Sequence, residues 1–396
     1  MAIVAAPVLR RVSGFSLMNI LGINAFHGDA SAALVVDGQL VAAVEEERFN
    51  RIKHWAGFPA QSIRWCLQHA GVRPEQVQHV AISFDPRANF WRRLGFVAKA
   101  RPSIRSLLDR LKRQGRTLSL EDQYAQAVGL KRKAVTAQFH RIEHHQTHVA
   151  AGFLISPFDR AAVLSVDGMG DFTSTLTAMA AGNDWQELNR VYYPHSIGFL
   201  YTAVTMYLGF PYYGDEYKVM GLAPYGQPEF ADLFRRMIRP AGDTFELNLD
   251  FFTHHRSGIK MNWNDGAPTI QPFYSALLEK TLGPARQKHE PLTSRHDNLA
   301  KSLQVVTEEI LMHLLNRLHA KTGCENLCMT GGVAMNSVAN GKITSQTPFK
   351  NVYIPAGAAD NGTSFGAAFH VWNRQLQKPR TFVQDHAYWG CVSTSD

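Results

Sequence analysis

The stretch from Glu143 to Asp171, EHHQTHVAAGFLISPFDRAAVLSVDGMGD, decides how this chain is read. His144 and His148 stand four residues apart, so a helix would carry both imidazoles on one face. An apolar run follows, then a strand-like segment that ends on Asp167 beside Gly168 and Gly170. Two imidazoles and a carboxylate on rigid elements suit iron, zinc or manganese. The glycines leave room for backbone N–H groups to approach a phosphate. The competing reading is a set of surface histidines that fall near a strand end, because His-x3-His is a short pattern.

The same shape occurs earlier in the chain. Residues Ile20–Ser31, ILGINAFHGDAS, and Val163–Ser174, VLSVDGMGDFTS, each give a buried strand, an Asn or Asp at its end, a Gly-Asp pair and a small hydroxyl residue entering a hairpin. Gly28-Asp29 then corresponds to Gly170-Asp171. A duplicated α/β lobe of this kind holds its ligand in the cleft between the copies, with two turns facing each other across it.

The remaining pattern supports mixed α/β structure. Asn19–Ala25 reads as a buried strand, and the two apolar runs after it form a hairpin across Asp37-Gly38, a dipeptide suited to a type I′ turn. A helix is expected over Pro59–Ala70, with proline at its start, followed by a strand at Val77–Phe84. Residues 86–135 break the rhythm with Arg92, Arg93, Arg105, Arg110, Lys112, Arg113 and Arg116 among scattered Leu, Phe and Trp. They read as a basic helical insertion with a solvated face.

Further on, a helix is expected at Ile197–Leu208. The composition of Phe210–Gly226 reads as a loop that frames Asp215, Glu216, Lys218 and Gly221. Glu216 and Lys218 there suit ribose and phosphate, or an ordinary surface pair. Beyond it the pattern gives a helix at Glu229–Ile238, a hairpin around Phe245–Phe252, a helix at Tyr274–Leu282 and a long amphipathic helix at Asn298–Lys321. A strand ending in Gly331-Gly332 leads to a helix near Met335 with Asn336 in its first turn, a seat for a nucleotide or another anion. In the last strand–loop–helix unit, Asp360 is either a further metal ligand or a helix N-cap.

The totals exclude several classes. At 396 residues the chain has the length of two or three domains and ample core. A formal charge of +8 attracts anions without naming one. Four scattered cysteines give no disulfide framework, which fits a reduced, cytoplasmic protein. No apolar run reaches membrane-spanning length, and no nucleic-acid-binding motif accompanies the basic insertion. Residues 1–18 read as a non-core extension, with Met18 favoured as the true start. Residues 19–160 read as the first lobe and 161–388 as the second, and 389–396 form an atypical tail.

Several phrases, taken together and in order, closely resemble the NodU/CmcH family of O-carbamoyltransferases. They are GDASAALVVDGQLVAAVEEERFNRIKHWAGFP, EHHQTHVAAGF, VDGMGD, GDEYKVMGLAPYG, GGVAMNSVANGKI and AADNGTSFGAA. The resemblance implies a duplicated actin-like fold of the ASKHA, ribonuclease H-like type, related to the enzymes that place threonylcarbamoyl on tRNA. It also implies ATP and carbamoyl phosphate as precursors of a carbamoyl-adenylate, whose carbamoyl group moves to a hydroxyl of a small-molecule or saccharide acceptor. By motif position, His144, His148, Asp167 and Asp360 would hold a divalent metal, commonly Fe2+. His27, with Asp29 in the same turn, would accept the hydroxyl proton. Lys53, Gly168, Gly170, Asp171, Glu216, Lys218, Gly221, Gly331, Gly332 and Asn336 would surround the nucleotide or the carbamoyl-adenylate.

Family chains continue into a YrdC-like domain that forms the adenylate, whereas this chain ends at YWGCVSTSD. The expectation is therefore a transfer lobe that needs that domain in trans, and a homodimer is compatible with it. A non-catalytic nucleotide- and metal-binding subunit, a threonylcarbamoyl-transferase-like enzyme and a kinase of the same fold are the alternatives. The histidine pair argues against the kinase, which needs magnesium and carboxylates.

Overall fold

Asp37 and Gly38 take φ of 47° and 79°, the left-handed pair that a two-residue hairpin turn requires. They join β2 (Ser31–Val36) to β3 (Gln39–Glu45), and β2 pairs antiparallel with β1 (Asn19–Asn24). β4 (His79–Ile82) and β5 (Gln138–Arg141) extend the sheet in parallel on the other side of β1, in the order β3-β2-β1-β4-β5. Every residue of β1 and β2 is buried, as expected of strands covered on both faces. The computed structural model describes residues 17–100, 119–262 and 268–391. Residues 1–16 of the expected extension and most of the basic run (Arg105, Arg110, Lys112, Arg113 and Arg116) lie outside the described residues, as does the end of the tail.

The second half repeats this construction. β6 (Arg160–Gly170), β7 (Thr173–Ala181) and β8 (Asp184–Tyr192) form an antiparallel meander. After the short hairpins β9 (Ile238–Ala241)/β10 (Thr244–Leu247) and β11 (Met261–Asn262)/β12 (Thr269–Ile270), β13 (Asn326–Thr330) and β14 (Asn351–Tyr353) join β6 in parallel. The order β8-β7-β6-β13-β14 matches the first sheet strand for strand. The matching turns also agree in backbone conformation, since Asp29 and Asp171 have φ of 57° and 47°. The duplicated α/β fold read from the short repeat is therefore present across both whole sheets.

The helices explain how the halves hold together. α1 (Glu47–Asn50) follows β3, and α2 (Ala60–His69) and α4 (Leu120–Val128) cover the outer face of the first sheet. Between them α3 (Phe90–Ala100) starts the insertion. α5 (His144–Phe153) follows the first sheet in sequence but packs on β6 and β13 of the second. The late helix α6 (Thr363–Phe369) follows the second sheet but packs on β1 and β2 of the first, and against α5. This exchange makes α5 and α6 a central layer between the two sheets. The helices touch closely at Gly366, where a Cβ would stand 2.1 Å from the Thr147 carbonyl oxygen. The long helix Ser294–Thr322 buries Leu299, Leu303, Val306, Ile310 and Leu314, a stripe at helical spacing. It packs with Ile197–Tyr207 behind the second sheet. Among the described residues no helix is long and apolar enough to cross a membrane.

Three local expectations need correction. Phe210–Gly226 is not all loop, because Glu216–Leu222 is helical with Val219 buried beneath it. The flanking glycines and prolines disguised one turn of helix after another. The hairpin lies at residues 238–247 rather than 245–252, with Pro240 inside an edge strand, a position where proline is tolerated. The helix after Gly331-Gly332 begins only at Ser337 and ends at Asn340, after a tight turn over Gly332–Met335.

Gly366→Ala is expected to cost about 3 kcal/mol, because the added methyl meets backbone rather than a flexible side chain. Urea denaturation of the two proteins checks this, and an unchanged midpoint would mean that α5 and α6 do not approach as described.

Candidate metal centre

The four side chains that the family resemblance implied as ligands meet at the contact between the lobes. α5 is held at both ends. Glu143 accepts from the Gln146 N–H and pairs with Arg190 at 2.8 Å. The Arg380 guanidinium donates to the carbonyls of Phe153, Leu154, Ser156 and Phe158 just past the other end. Between these anchors, His144 and His148 present their Nε2 atoms to the ends of β6 and to the turn before α6. His144 Nε2 lies 3.4 Å from Asp167 Oδ2 and 3.4 Å from Asp360 Oδ1. His148 Nε2 lies 3.8 Å and 3.5 Å from the same two oxygens.

These contacts are too long or too misaligned for hydrogen bonds, and both Nε2 atoms are buried without a hydrogen-bond partner. Buried polar nitrogens are seldom left so. Four donor atoms lie within 4.8 Å of one another, all from buried residues. An ion with bonds of about 2.1 Å spaces its ligand atoms by roughly 3.0–3.4 Å in octahedral or tetrahedral geometry. Three of the four nitrogen–oxygen spacings, at 3.4–3.5 Å, lie at the upper edge of that range, and the His148–Asp167 spacing of 3.8 Å is slightly wider. A pair of imidazoles with a pair of carboxylates also suits a divalent transition metal chemically. Asp360 is the N-cap of neither the short turn it opens, capped by Ala359, nor the helix Thr363–Phe369, capped by Gly362, so of its two readings the cluster is the one with a geometric basis.

Charge explains why the cluster can be buried. Burial works against the charged form of His144, but the carboxylates of Asp360 and Asp167 outweigh it and hold the imidazole well above its ordinary pKa. Burial likewise opposes ionisation of Asp167, yet His144 and His148 pull it well below the carboxylate range. Asp167 also accepts from the Gly332 N–H at 3.0 Å, which fixes its other oxygen.

The surrounding residues divide into those aimed at the cluster and those that brace it. His27 stacks edge-on against His144, with ring centroids 4.9 Å apart, and its Nδ1 is buried without a partner. Burial, followed by the nearby His144 charge, lowers its pKa to about 4, which leaves a neutral ring at neutral pH. Asp29 instead bonds His54, 2.6 Å from Asp29 Oδ1 to the ring Nδ1. Gly170 admits the His144 ring, since a Cβ there would lie 2.0 Å from its Cδ2. Asp171 accepts from the N–H groups of His144 and Asp85 and from Arg93, so its carboxylate ties α5 to the insertion.

The remaining expected residues are spread around this centre. Asn336 is locked in a reciprocal pair with Gln304. Gly331 has φ of 92° and donates to the Ala358 carbonyl. Gly168 lies against Phe199 and Gly221 is exposed on its helix. Glu216 bonds the Thr202 hydroxyl. Lys53 and Lys218 face a separate pocket with Tyr217. Two positioning histidines were missed. His145 is fully buried between Ser165 Oγ and the Thr173 carbonyl, and His54 is the partner of Asp29. The adjacent His-His pair drew attention to ligand spacing and away from this bracing role.

The comparisons with known proteins agree with the motif reading. The family described as "Carbamoyltransferase N-terminus" matches residues 19–369. An uncharacterised protein of Synechocystis is 39% identical over 94% of this chain and 60% of its own length. Nodulation protein NolNO of Sinorhizobium fredii is 34% identical over 94% of this chain and 50% of its own. This chain thus spans half to three-fifths of the length of these relatives. Among solved structures, HypF of T. kodakarensis aligns over 90% of this chain at 13% identity with a TM-score of 0.45, a likeness too remote to add to the topology described above.

A divalent ion at about one hundred times its dissociation constant should stabilise the protein by about 2.7 kcal/mol. Thermal melting of metal-stripped protein with and without added Fe2+, Mn2+ or Zn2+ should show the rise, and His148→Ala should abolish it. An equal rise in the variant would place the ion elsewhere.

Proposed function

Because this chain belongs to the carbamoyltransferase amino-terminal family, we propose that its two lobes carry out the transfer half of an O-carbamoylation. The donor is a carbamoyl-adenylate made from carbamoyl phosphate and ATP. The acceptor is a hydroxyl of a small molecule or saccharide. The observation that carries this reading is the convergence of His144, His148, Asp167 and Asp360 from both halves of the duplicated fold.

In this reading the four side chains hold a divalent ion, with Fe2+ the candidate the family resemblance favours. When bound, such an ion supplies a Lewis acid that polarises the carbamoyl carbonyl or neutralises the adenylate phosphate. The chain's own residues do the rest. The acceptor oxygen forms a bond to the carbamoyl carbon as the bond from that carbon to the phosphate oxygen breaks, and AMP leaves with the electron pair. The hydroxyl proton passes to a neutral imidazole, for which His27 is the candidate beside the cluster. The burial of His27 Nδ1 and of the cluster nitrogens supports a site that excludes water and so protects the adenylate from hydrolysis. The adenylate-forming step is assigned to a YrdC-like domain, on the same or another chain.

The test supplies the chain with a YrdC-like domain, carbamoyl phosphate, ATP and a panel of sugar and aminoglycoside acceptors. Mass spectrometry should show a carbamoylated acceptor together with AMP, reduced at least hundredfold by His148→Ala or by removal of metal. Metal and nucleotide binding without any transferred carbamoyl group would favour a non-catalytic subunit instead.

A further inference from the structure

The helix α3 has two unlike faces. At about 3.6 residues per turn, Arg92, Arg93 and Phe96 share one side with Asn89 just ahead of the helix, and the second lobe engages all four. Arg93 pairs with Asp171 Oδ1 at 3.3 Å, and Asn89 donates to the Asp171 carbonyl at 2.8 Å. Phe96 packs edge-on against Phe172 and Tyr193, and the Arg92 guanidinium lies 4.9 Å from the centre of the Tyr192 ring. Phe90, Trp91, Leu94, Gly95 and Ala98 share the other side, and all five are exposed. That face carries no polar side chain. Phe90, Trp91 and Leu94 are 54%, 78% and 49% exposed, and among the described residues no other helix exposes more than one large apolar side chain.

An exposed apolar face this uniform marks a contact surface, and charge selects what meets it. Arg87 just before the helix and Arg92 on its flank are exposed. In the sequence, residues 86–118 hold ten lysines and arginines and one acid, Asp109, while the whole chain has a formal charge of +8. The positive balance of the chain therefore resides in this stretch. A second copy would bring two such stretches together against their mutual repulsion. A nucleic acid would meet the arginines but leave Trp91 and Leu94 against phosphates and sugars. An anionic lipid surface answers both features, because its acyl boundary takes aromatic and aliphatic side chains while its headgroup phosphates take basic ones.

We propose that the outer face of α3 is a docking surface for an anionic lipid membrane, in which Phe90, Trp91 and Leu94 enter the interface and the basic residues meet lipid phosphates. The helix lies on the membrane and does not span it. Its anchor connects the contact to the metal centre, since Asp171 pairs with Arg93 and also accepts from the His144 N–H at 3.0 Å. Lipid docking is independent of the transfer chemistry, and it would hold the lobes beside an acceptor carried in a membrane.

Sedimentation of the full chain with lipid vesicles tests the docking without any turnover. Binding is expected to vesicles of equal parts phosphatidylglycerol and phosphatidylcholine, and at least tenfold weaker binding to phosphatidylcholine alone. Trp91→Ser and Leu94→Ser should each weaken binding to the anionic vesicles at least fivefold. At saturating lipid, the blue shift of tryptophan emission should shrink in Trp91→Ser. Both side chains are exposed, so neither change should unfold the protein, and equal melting temperatures check this. No vesicle binding overturns the proposal, as does binding that neither variant weakens. A dimer that Trp91→Ser dissociates, without vesicle binding, would assign the face to a second copy instead. Retention of a DNA or RNA oligonucleotide, again without vesicle binding, would assign the stretch to nucleic acid.

Discussion

Two carboxylates and two imidazoles face one another in a buried layer between the lobes, and this is the constraint on which the rest of the structure turns. Ionised carboxylates are costly to bury unless paired, and here they meet nitrogens at 3.4–3.8 Å that hydrogen bonds do not complete. A bound cation would satisfy all four groups at once. The architecture is consistent with that demand. β6 brings Asp167, α5 brings both histidines, and the turn before α6 brings Asp360.

The exchange of helices between sheets makes this meeting possible. Had α5 packed on its own sheet, His144 and His148 would have faced the first lobe, far from the end of β6. Packed instead on β6 and β13, α5 brings residues of the first half to a carboxylate of the second. Gly366 allows the central helices to touch, and Gly170 gives the His144 ring its place. Arg380 and Glu143 fix the ends of α5, and His145 pins it to Ser165 and Thr173. A site built on a clamped helix keeps its ligand atoms in place more tightly than one built on loops.

Much of this was legible in the sequence because it is local. The four-residue histidine spacing, the strand ending on Asp167 and the Asp37-Gly38 hairpin depend on neighbours in the chain. A repeat of a dozen residues sufficed to foresee a duplicated α/β lobe. What was missed depends on tertiary contacts. Glu216–Leu222 folds as a helix because Val219 finds a core beneath it, which glycine and proline counts cannot reveal. The pairing of Asn336 with Gln304, thirty-two positions away, likewise had no local signal. His54 gave no spacing signal, since its partners Asp29 and Gly214 come from distant turns.

The central claim is that the His144–His148–Asp167–Asp360 cluster holds one divalent metal ion. The most direct test is anomalous diffraction from crystals of the protein grown with Fe2+ or Mn2+, collected at the metal's absorption edge. The account predicts a single strong peak about 2.1 Å from Nε2 of both histidines and within bonding distance of both carboxylates. A metal-loaded crystal with no peak at the cluster, or with its peak elsewhere, would contradict the account.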